Sequence, residues 1–331
     1  MLPPVHVPRK IVAMIPAFNE ERTIASVVER TRPFVDAVVV VNDGSSDATV
    51  SEAERAGAIV VSHSQNEGLG RAFRTGIGKA LAVGASVIVT LDADGQFTPE
   101  EVPKLVDPIE DGSHDMVTGT RFSQETFRGD MRRIKSFGNA VFTRFVNRLT
   151  GTRLTDAQCG FRAYSREAAM NLTLLGRFTY TQEVILNLAT KGFRIGEVPV
   201  HVRGQREHGQ SKMVKSPLRY GLRALSIILR AERDYKPLRF FGSIGSLFLV
   251  LGALQLAIVV ANYLLTKQTS PYTSLFITGG SCVLIAVQVY ILALVADGQA
   301  RSRQLQDELL VLARRRELAA LNASTQEPTK P

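Results

Sequence analysis

Two uncharged runs near the C-terminal end constrain this chain more than any other feature. Phe240 to Leu264 is 25 residues without a charge, and Leu275 to Ala296 is 22. A helix of about 20 apolar residues spans the hydrocarbon core of a bilayer. A short polar connector, Thr266-Lys267-Gln268-Thr269-Ser270-Pro271, lies between the runs, so the pattern predicts a transmembrane helical hairpin. The alternative is a pair of buried helices in a soluble core, and their length and lack of charge argue against it. Arg233, Lys236 and Arg239 precede the first run, Arg301 and Arg303 follow the second, and only Lys267 sits in the connector. The positive-inside rule then places both long flanks in the cytoplasm at a cell membrane.

The 331 residues leave room before the hairpin for one α/β domain of about 230 residues. Apolar runs that read as strands alternate there with helical segments: strands at Ile11–Ile15, Ala37–Val41, Ala58–Ser62, Val87–Leu91 and Met116–Gly119, and helices at about Glu20–Thr31, from an Asp47 N-cap through Ala56, and at Leu69–Gly84. That alternation predicts a mostly parallel sheet with helical crossovers. No Gly-x-Gly-x-x-Gly follows the first strand, which argues against a dinucleotide-binding site.

The chemistry gathers at the strand ends. Val87-Ile88-Val89-Thr90-Leu91 runs into Asp92-Ala93-Asp94-Gly95-Gln96. Ligands bind outside the carboxyl ends of strands in open α/β sheets. Two neighbouring carboxylates repel unless a cation or a shared proton lies between them. A hard divalent ion takes oxygen ligands and bridges readily to a diphosphate. The segment therefore suggests a Mg2+ or Mn2+ clamp on a nucleotide diphosphate, the alternative being a plain surface turn. Asn19-Glu20 and Asp43 end two further strands and share that edge in a parallel sheet. Asp43 lies in a Gly-Ser turn, where it either meets a base or ribose or simply forms the turn through an Asx hydrogen bond.

Pro16-Ala17-Phe18-Asn19-Glu20, Asn42-Asp43-Gly44-Ser45-Ser46-Asp47, Asp92-Ala93-Asp94-Gly95-Gln96 and Gly119-Thr120-Arg121 come in an order and spacing that resemble family 2 glycosyltransferases of the GT-A fold. Thr155-Asp156-Ala157-Gln158-Cys159-Gly160-Phe161-Arg162 and Arg206-Glu207-His208-Gly209-Gln210-Ser211-Lys212 narrow the resemblance to polyprenyl-phosphate (dolichyl-phosphate-type) glycosyltransferases. It covers about residues 9 to 235. The resemblance implies an α/β fold: a GT-A, Rossmann-like catalytic domain with a mostly parallel sheet, followed by the two-helix hairpin. It also implies roles. Pro16, Asn19 and Glu20 line the nucleotide pocket, and Asp43 contacts the base or ribose. Asp92, Asp94 and Gln96 bind the metal, Asp94 most directly. Arg206 and Lys212 neutralise the donor phosphates; Arg121, Arg132 and Ser136 hold the acceptor phosphate. Asp94, Arg121 and Arg206 are the expected catalytic set. Arg132 and Ser136 share a face if their segment is helical; a solvated charge is the alternative for Arg132. One departure is Asn42, which stands where the family commonly has a second acid, and it leaves base selectivity open.

The implied reaction moves a hexose from a GDP- or UDP-sugar to a polyprenyl phosphate, with inversion at the anomeric carbon. A phosphate monoester has its second pKa near 6, so it is already largely ionised and needs positioning more than deprotonation. Four other functions are weighed against this. Processive polysaccharide synthases share the early motifs but carry a Gln-x-x-Arg-Trp motif, and this chain has no tryptophan. A glycosyltransferase acting on a polysaccharide or glycolipid hydroxyl would need a general base. A nucleotidyltransferase predicts a glycine-rich basic loop after the first strand, which Pro16-Ala17-Phe18-Asn19 is not. A non-enzymatic membrane scaffold would tolerate loss of Asp94.

The chain divides in this reading into residues 1–212 (catalytic), 213–235 (interfacial helix), 240–264 and 275–296 (spans), and 297–331 (a charged cytoplasmic helix and a disordered polar tail). Leu218, Leu222, Leu225 and Leu229 recur at helical spacing among Lys215, Arg219, Arg223, Arg230 and Arg233, the pattern of a basic amphipathic helix at a membrane surface. An ordinary packed helix is the alternative there. The net charge of +9 fits anionic lipid and phosphate substrates. No aromatic-basic interleaving points to nucleic acid. The N-terminus lacks a secretory apolar stretch, so the catalytic part is expected to stay inside. Two cysteines, Cys159 and Cys282, rule out a disulfide framework. The charged helix near Arg301 to Leu318 is a candidate surface for pairing with a second copy.

Overall fold

The computed structural model describes residues 8–121, 133–173, 180–203, 229 and 232–326. Its contacts divide the chain into two compact units, Met1–Pro217 with Leu310–Pro331, and Leu218–Leu309.

The first unit is built on a seven-stranded sheet of order β3-β2-β1-β4-β6-β5-β7. The strands are β1 (Ile11–Ala17), β2 (Ala37–Asn42), β3 (Ile59–Ser62), β4 (Val87–Thr90), β5 (Met116–Thr120), β6 (Arg162–Ser165) and β7 (Ile195–Pro199). Pairing is parallel for β1 with β2 and β4, β2 with β3, and β5 with β7. Only β6 runs antiparallel, between β4 and β5. The strand reading from the sequence stopped at Met116–Gly119 and missed β6 and β7. The β6 segment, Arg-Ala-Tyr-Ser, has neither an apolar run nor a turn pair to mark it. It is recruited by the sheet edges beside it.

β1, β2 and β4 are apolar on both faces because helices cover both. On one face Ile11, Ala13, Ile15, Val38, Val40, Val87 and Val89 pack with Ile24, Val27 and Val28 of α1 (Ile24–Thr31) and with Leu105 and Val106 of α4 (Val102–Glu110). On the other face α3 (Leu69–Ala82) lies on β1 and β2. Gly76 sets its approach: a Cβ there would stand 2.3 Å from Met14 Cγ and 3.0 Å from Val41 Cγ2. α2 (Thr49–Arg55), α5 (Arg133–Thr150), α6 (Arg166–Met170) and α7 (Tyr180–Thr190) complete the described helices of this unit before Pro199. The chain leaves β1 toward β2 on one side and returns to β4 on the other. The carboxyl ends of β1 and β4 therefore flank the switch point where such sheets bind ligands.

Two helix starts differ from the sequence reading. α1 begins at Ile24, after a turn over residues 21–23 that follows Asn19 at φ +55°. α2 begins at Thr49 with Ala48 as its N-cap. Asp47, expected as the cap, sits one residue earlier and binds Glu21 as well as Thr49.

The second unit contains two helices long and apolar enough to cross a membrane, Pro237–Thr266 and one that starts at Thr273. Their hairpin is antiparallel. Ser246 Oγ lies 2.8 Å from Tyr290 Oη near one end, and a Cβ on Gly252 would lie 2.8 Å from the Gly279 carbonyl. Small residues at such contacts let apolar helices approach closely. The helix from Thr273 runs unbroken to Gln326, so the second apolar run, the charged segment after it and the first residues of the expected disordered tail form one element.

Candidate active site

Three loops at the carboxyl edge of β1, β2 and β4 carry the motif residues, and a lattice of hydrogen bonds laces two of them together. Asn19 donates its N–H to Ser45 Oγ at 3.0 Å, and its Oδ1 accepts from Ser46 N at 2.9 Å. Glu21 Oε2 accepts from Ala48 N, and Asp47 Oδ2 accepts from Glu21 N, both at 3.2 Å. Glu20 N donates to Thr49 Oγ1 at 2.9 Å. Burial works against the Asp47 charge, but the Thr49 hydroxyl and the backbone N–H groups overcome it and hold the carboxyl below its ordinary value. Pro16 is buried within β1, opposite Val41. Asn19 and Asp47 thus serve first to fix two loops against each other.

Asp43 is only 4% exposed. Its Oδ1 accepts from His63 Nδ1 at 2.8 Å and from Glu67 N at 2.9 Å, and its Oδ2 accepts from Gly68 N at 2.9 Å. The Asn42 side chain, in the place of the family's second acid, bridges Ser45 N and Ser62 Oγ. Gly44, at φ +75°, lets the loop at Gln65 and Asn66 come within 2.5–2.8 Å of where a Cβ would be.

At the end of β4, Asp94 is buried at 5% exposure and Asp92 half-buried. Asp94 Oδ1 accepts from Gln96 N at 3.1 Å. Gln96 donates its side-chain amide to the Arg203 carbonyl at 3.2 Å and accepts from Arg203 N at 2.9 Å through its own carbonyl. It fastens this loop to the strand leaving β7. Its amide nitrogen is therefore committed, and only its side-chain oxygen suits a metal. No group of three or more His, Cys, Asp or Glu side chains converges among the described residues. Asp92 and Asp94 offer hard oxygen donors, the set magnesium and manganese prefer. An ion held by one or two carboxylates takes its remaining ligands from substrate phosphates and water. The residues present fit such an ion.

β5 is parallel to β4 across β6, so Arg121, just past its end, reaches the same edge. Its Nε and Nη2 donate to the two oxygens of Asp156 at 2.6 and 3.0 Å. Burial opposes the Arg121 charge, but the Asp156 hydrogen bonds and charge, with the Asp92 charge beyond, raise its pKa above the ordinary guanidinium value. Asp156 is fully buried and also accepts from Asn139 Nδ2 at 3.2 Å. Behind it, Glu197 accepts from the backbone N–H groups of Thr155 and Asp156 at 2.8 Å each and from Thr155 Oγ1 at 2.8 Å. Burial holds the Glu197 carboxyl above its usual range in spite of those donors. Cys159 is buried, its thiol pushed up to about 12, which leaves it inert. Arg162 is fully buried and donates to the carbonyls of Thr181 and Ala157.

Asp43, Asp92, Asp94 and Arg121 are thus brought to one edge, with Asn19, Glu20 and Gln96 holding its loops. Ser136 lies on α5, its side chain outside the described residues, as are Arg132, Arg206 and Lys212. Asp156, Glu197 and His63 were not singled out from the sequence. Asp156 sits inside a quoted motif, but its pairing with Arg121, 35 residues away, has no local signal.

Residues 12–173 match the model of the family described as Glycosyl transferase family 2. UDP-N-acetylglucosamine–dolichyl-phosphate N-acetylglucosaminyltransferase of Methanococcus voltae is 33% identical over 57% of this chain and 84% of its own length. The chain belongs to the family 2 glycosyltransferases. Polyprenol monophosphomannose synthase of Mycolicibacterium smegmatis is 30% identical over 64% of this chain and 83% of its own. Among solved structures, glucosyl-3-phosphoglycerate synthase from Mycobacterium tuberculosis, in complex with Mn2+, UDP-glucose and phosphoglyceric acid, superposes with a TM-score of 0.52 at 26% identity. That superposition covers 67% of this chain and 80% of the other. The expected GT-A fold and family are those found.

Proposed function

We propose that this glycosyltransferase moves a hexose from a nucleoside-diphosphate sugar to a polyprenyl phosphate at a cytoplasmic membrane surface. The observation that carries the reading is the Asp92–Asp94 carboxylate pair set beside the Asp156-clamped Arg121 at the switch-point edge, in a chain with two membrane-length helices. The relatives named for dolichyl- and polyprenol-phosphate acceptors support it, and the Mn2+–UDP-glucose complex of the structural neighbour supports metal-assisted departure of the nucleotide.

When bound, Mg2+ or Mn2+ would offset the charge building on the departing diphosphate. Asp92 and Asp94 would hold that ion, and the side-chain oxygen of Gln96 would be a further donor. Arg206 and Lys212 add donors where the charge develops. Arg121 faces the opposite partner. With its Nε–Nη2 edge on Asp156, the guanidinium keeps one orientation and presents a fixed positive charge to an entering phosphate. Arg132 and Ser136 complete that grip. The acceptor phosphate, already ionised, attacks in line and inverts the anomeric carbon, so no side chain is required as a base. The basic segment read at 213–235 lies mostly outside the described residues; its charge and the positive flanks of the hairpin support a cytoplasmic catalytic domain at a membrane carrying anionic lipid.

The test offers the purified protein UDP- and GDP-sugars with polyprenyl phosphate, free polyprenol or a soluble oligosaccharide, and reads products by mass spectrometry. A sugar-phosphate-polyprenol is expected from the first acceptor alone. Preferential transfer to either hydroxyl acceptor overturns the proposal.

A further inference from the structure

We propose that His63 is a positioning residue for nucleotide binding: it locks the Asp43 carboxylate in the one orientation that leaves a single acceptor position for the nucleoside. The inference rests on the reading above, in which Asp43 meets the base or ribose of the donor.

His63 is the first residue after β3. Its N–H still donates to the Asn42 carbonyl at 2.9 Å, so the β2–β3 pairing carries its ring to the end of β2. The ring is nearly buried, at 9% side-chain exposure. Nδ1 lies 2.8 Å from Asp43 Oδ1, and Nε2 lies 2.9 Å from Thr75 Oγ1 on α3. Proton bookkeeping assigns the roles. Asp43 also accepts from two backbone N–H groups, so its carboxylate is an acceptor throughout and Nδ1 carries the hydrogen. Thr75 can donate to Nε2 or accept from it, so the chain Thr75–His63–Asp43 is satisfied in either arrangement.

The consequence is geometric. A buried carboxylate held from one side only can turn about its Cβ–Cγ bond. Asp43 is held from two. Glu67 N and Gly68 N bind it from the loop that opens α3, and His63 binds it from the sheet, itself tied to the second turn of the same helix. A carboxylate has about four lone-pair sites. Two on Oδ1 and one on Oδ2 are taken, which leaves one on Oδ2. A single nucleoside N–H or O–H fills it. Both ring nitrogens meet polar side chains, one at the end of β2 and one on α3, which fixes the ring between the two elements.

The experiment titrates full-length protein in nanodiscs with UDP and with GDP, each with Mg2+, by calorimetry, and follows sugar transfer in parallel. For the better nucleotide, His63→Ala should weaken binding about tenfold or more, the worth of a hydrogen bond to a charged group. KM for the nucleotide sugar should rise with it, while kcat changes little. His63→Asn, whose amide nitrogen can stand where Nδ1 stands, should recover most of the affinity; Thr75→Val should fall between. An unchanged affinity in His63→Ala overturns the proposal and leaves the glycosyltransferase reading standing. Equal losses in His63→Ala and His63→Asn, with a lowered Tm, reduce His63 to a structural residue and also overturn it. A wild-type protein that binds neither nucleotide overturns the reading on which the inference rests.

Discussion

Asp156 shows how much a single buried acid carries here. It has no exposed surface and meets Arg121 through two donors, with Asn139 Nδ2 and Gln158 N as further donors. Removing one member of a buried pair is costly because the other is left charged and uncompensated. Arg121, at 27% side-chain exposure, can still turn toward water, so the fold should survive while the guanidinium loses its fixed direction. Asp156→Asn keeps the shape and removes the charge. We expect kcat/KM for polyprenyl phosphate to fall about a hundredfold, the worth of roughly 3 kcal/mol. Calorimetric binding of the nucleoside diphosphate with Mg2+ should be nearly unchanged. A parallel loss of nucleotide affinity would place Asp156 in the donor pocket instead.

At the level of elements, the loops matter more than the strands they leave. The turn after β2 reaches the α3 loop across Gly44, whose φ of +75° and backbone contacts at 2.5–2.8 Å exclude a side chain. Gly44→Ala meets both the left-handed backbone cost and a clash with main chain that no rotamer relieves. We expect a loss of about 2–4 kcal/mol, read as a lowered denaturant midpoint, and weakened nucleotide binding because Asp43 is held by the same loop. A variant as stable as wild type would show that the Gln65–Asn66 loop moves away freely. The strands themselves were legible in the sequence because β1, β2 and β4 are buried on both faces and read as apolar runs, and Asp92 and Asp94 stood out as acids at the end of one. The lattice joining Asn19, Ser46, Glu21 and Asp47 was not legible. Each motif advertises a polar residue, but only the pairing of β1 with β2 decides which polar residues meet each other and which face a ligand. β6 escaped for a related reason, since its residues become a strand only between β4 and β5.

On the scale of the whole molecule, the chain does not divide as simply as its hydropathy suggests. Leu310–Pro331 belongs to the same compact unit as the sheet. Within that unit Arg314 Nη1 donates to the carbonyls of Met170 and Leu172 at 3.1 and 2.7 Å, where α6 ends, and Arg315 pairs with Glu167. A guanidinium on the last carbonyls of a helix satisfies acceptors that the helix leaves open and complements its dipole. α6 in turn packs on β4 and β6, at the amino end of β4, where Arg166 N donates to the Ser86 carbonyl. A chain ending near Tyr235 therefore loses these caps along with the hairpin. We expect it to bind nucleoside diphosphate and metal, because every candidate donor-site residue precedes it, but to melt lower and to use long-chain polyprenyl phosphate poorly. Arg314→Ala in the full-length protein separates the two causes. It should lose about 1–3 kcal/mol, a few degrees in Tm, with lipid use intact. Should the truncated chain fail to bind nucleotide while Arg314→Ala binds it normally, the membrane helices belong to the catalytic fold, and the boundary proposed near residue 212 is wrong.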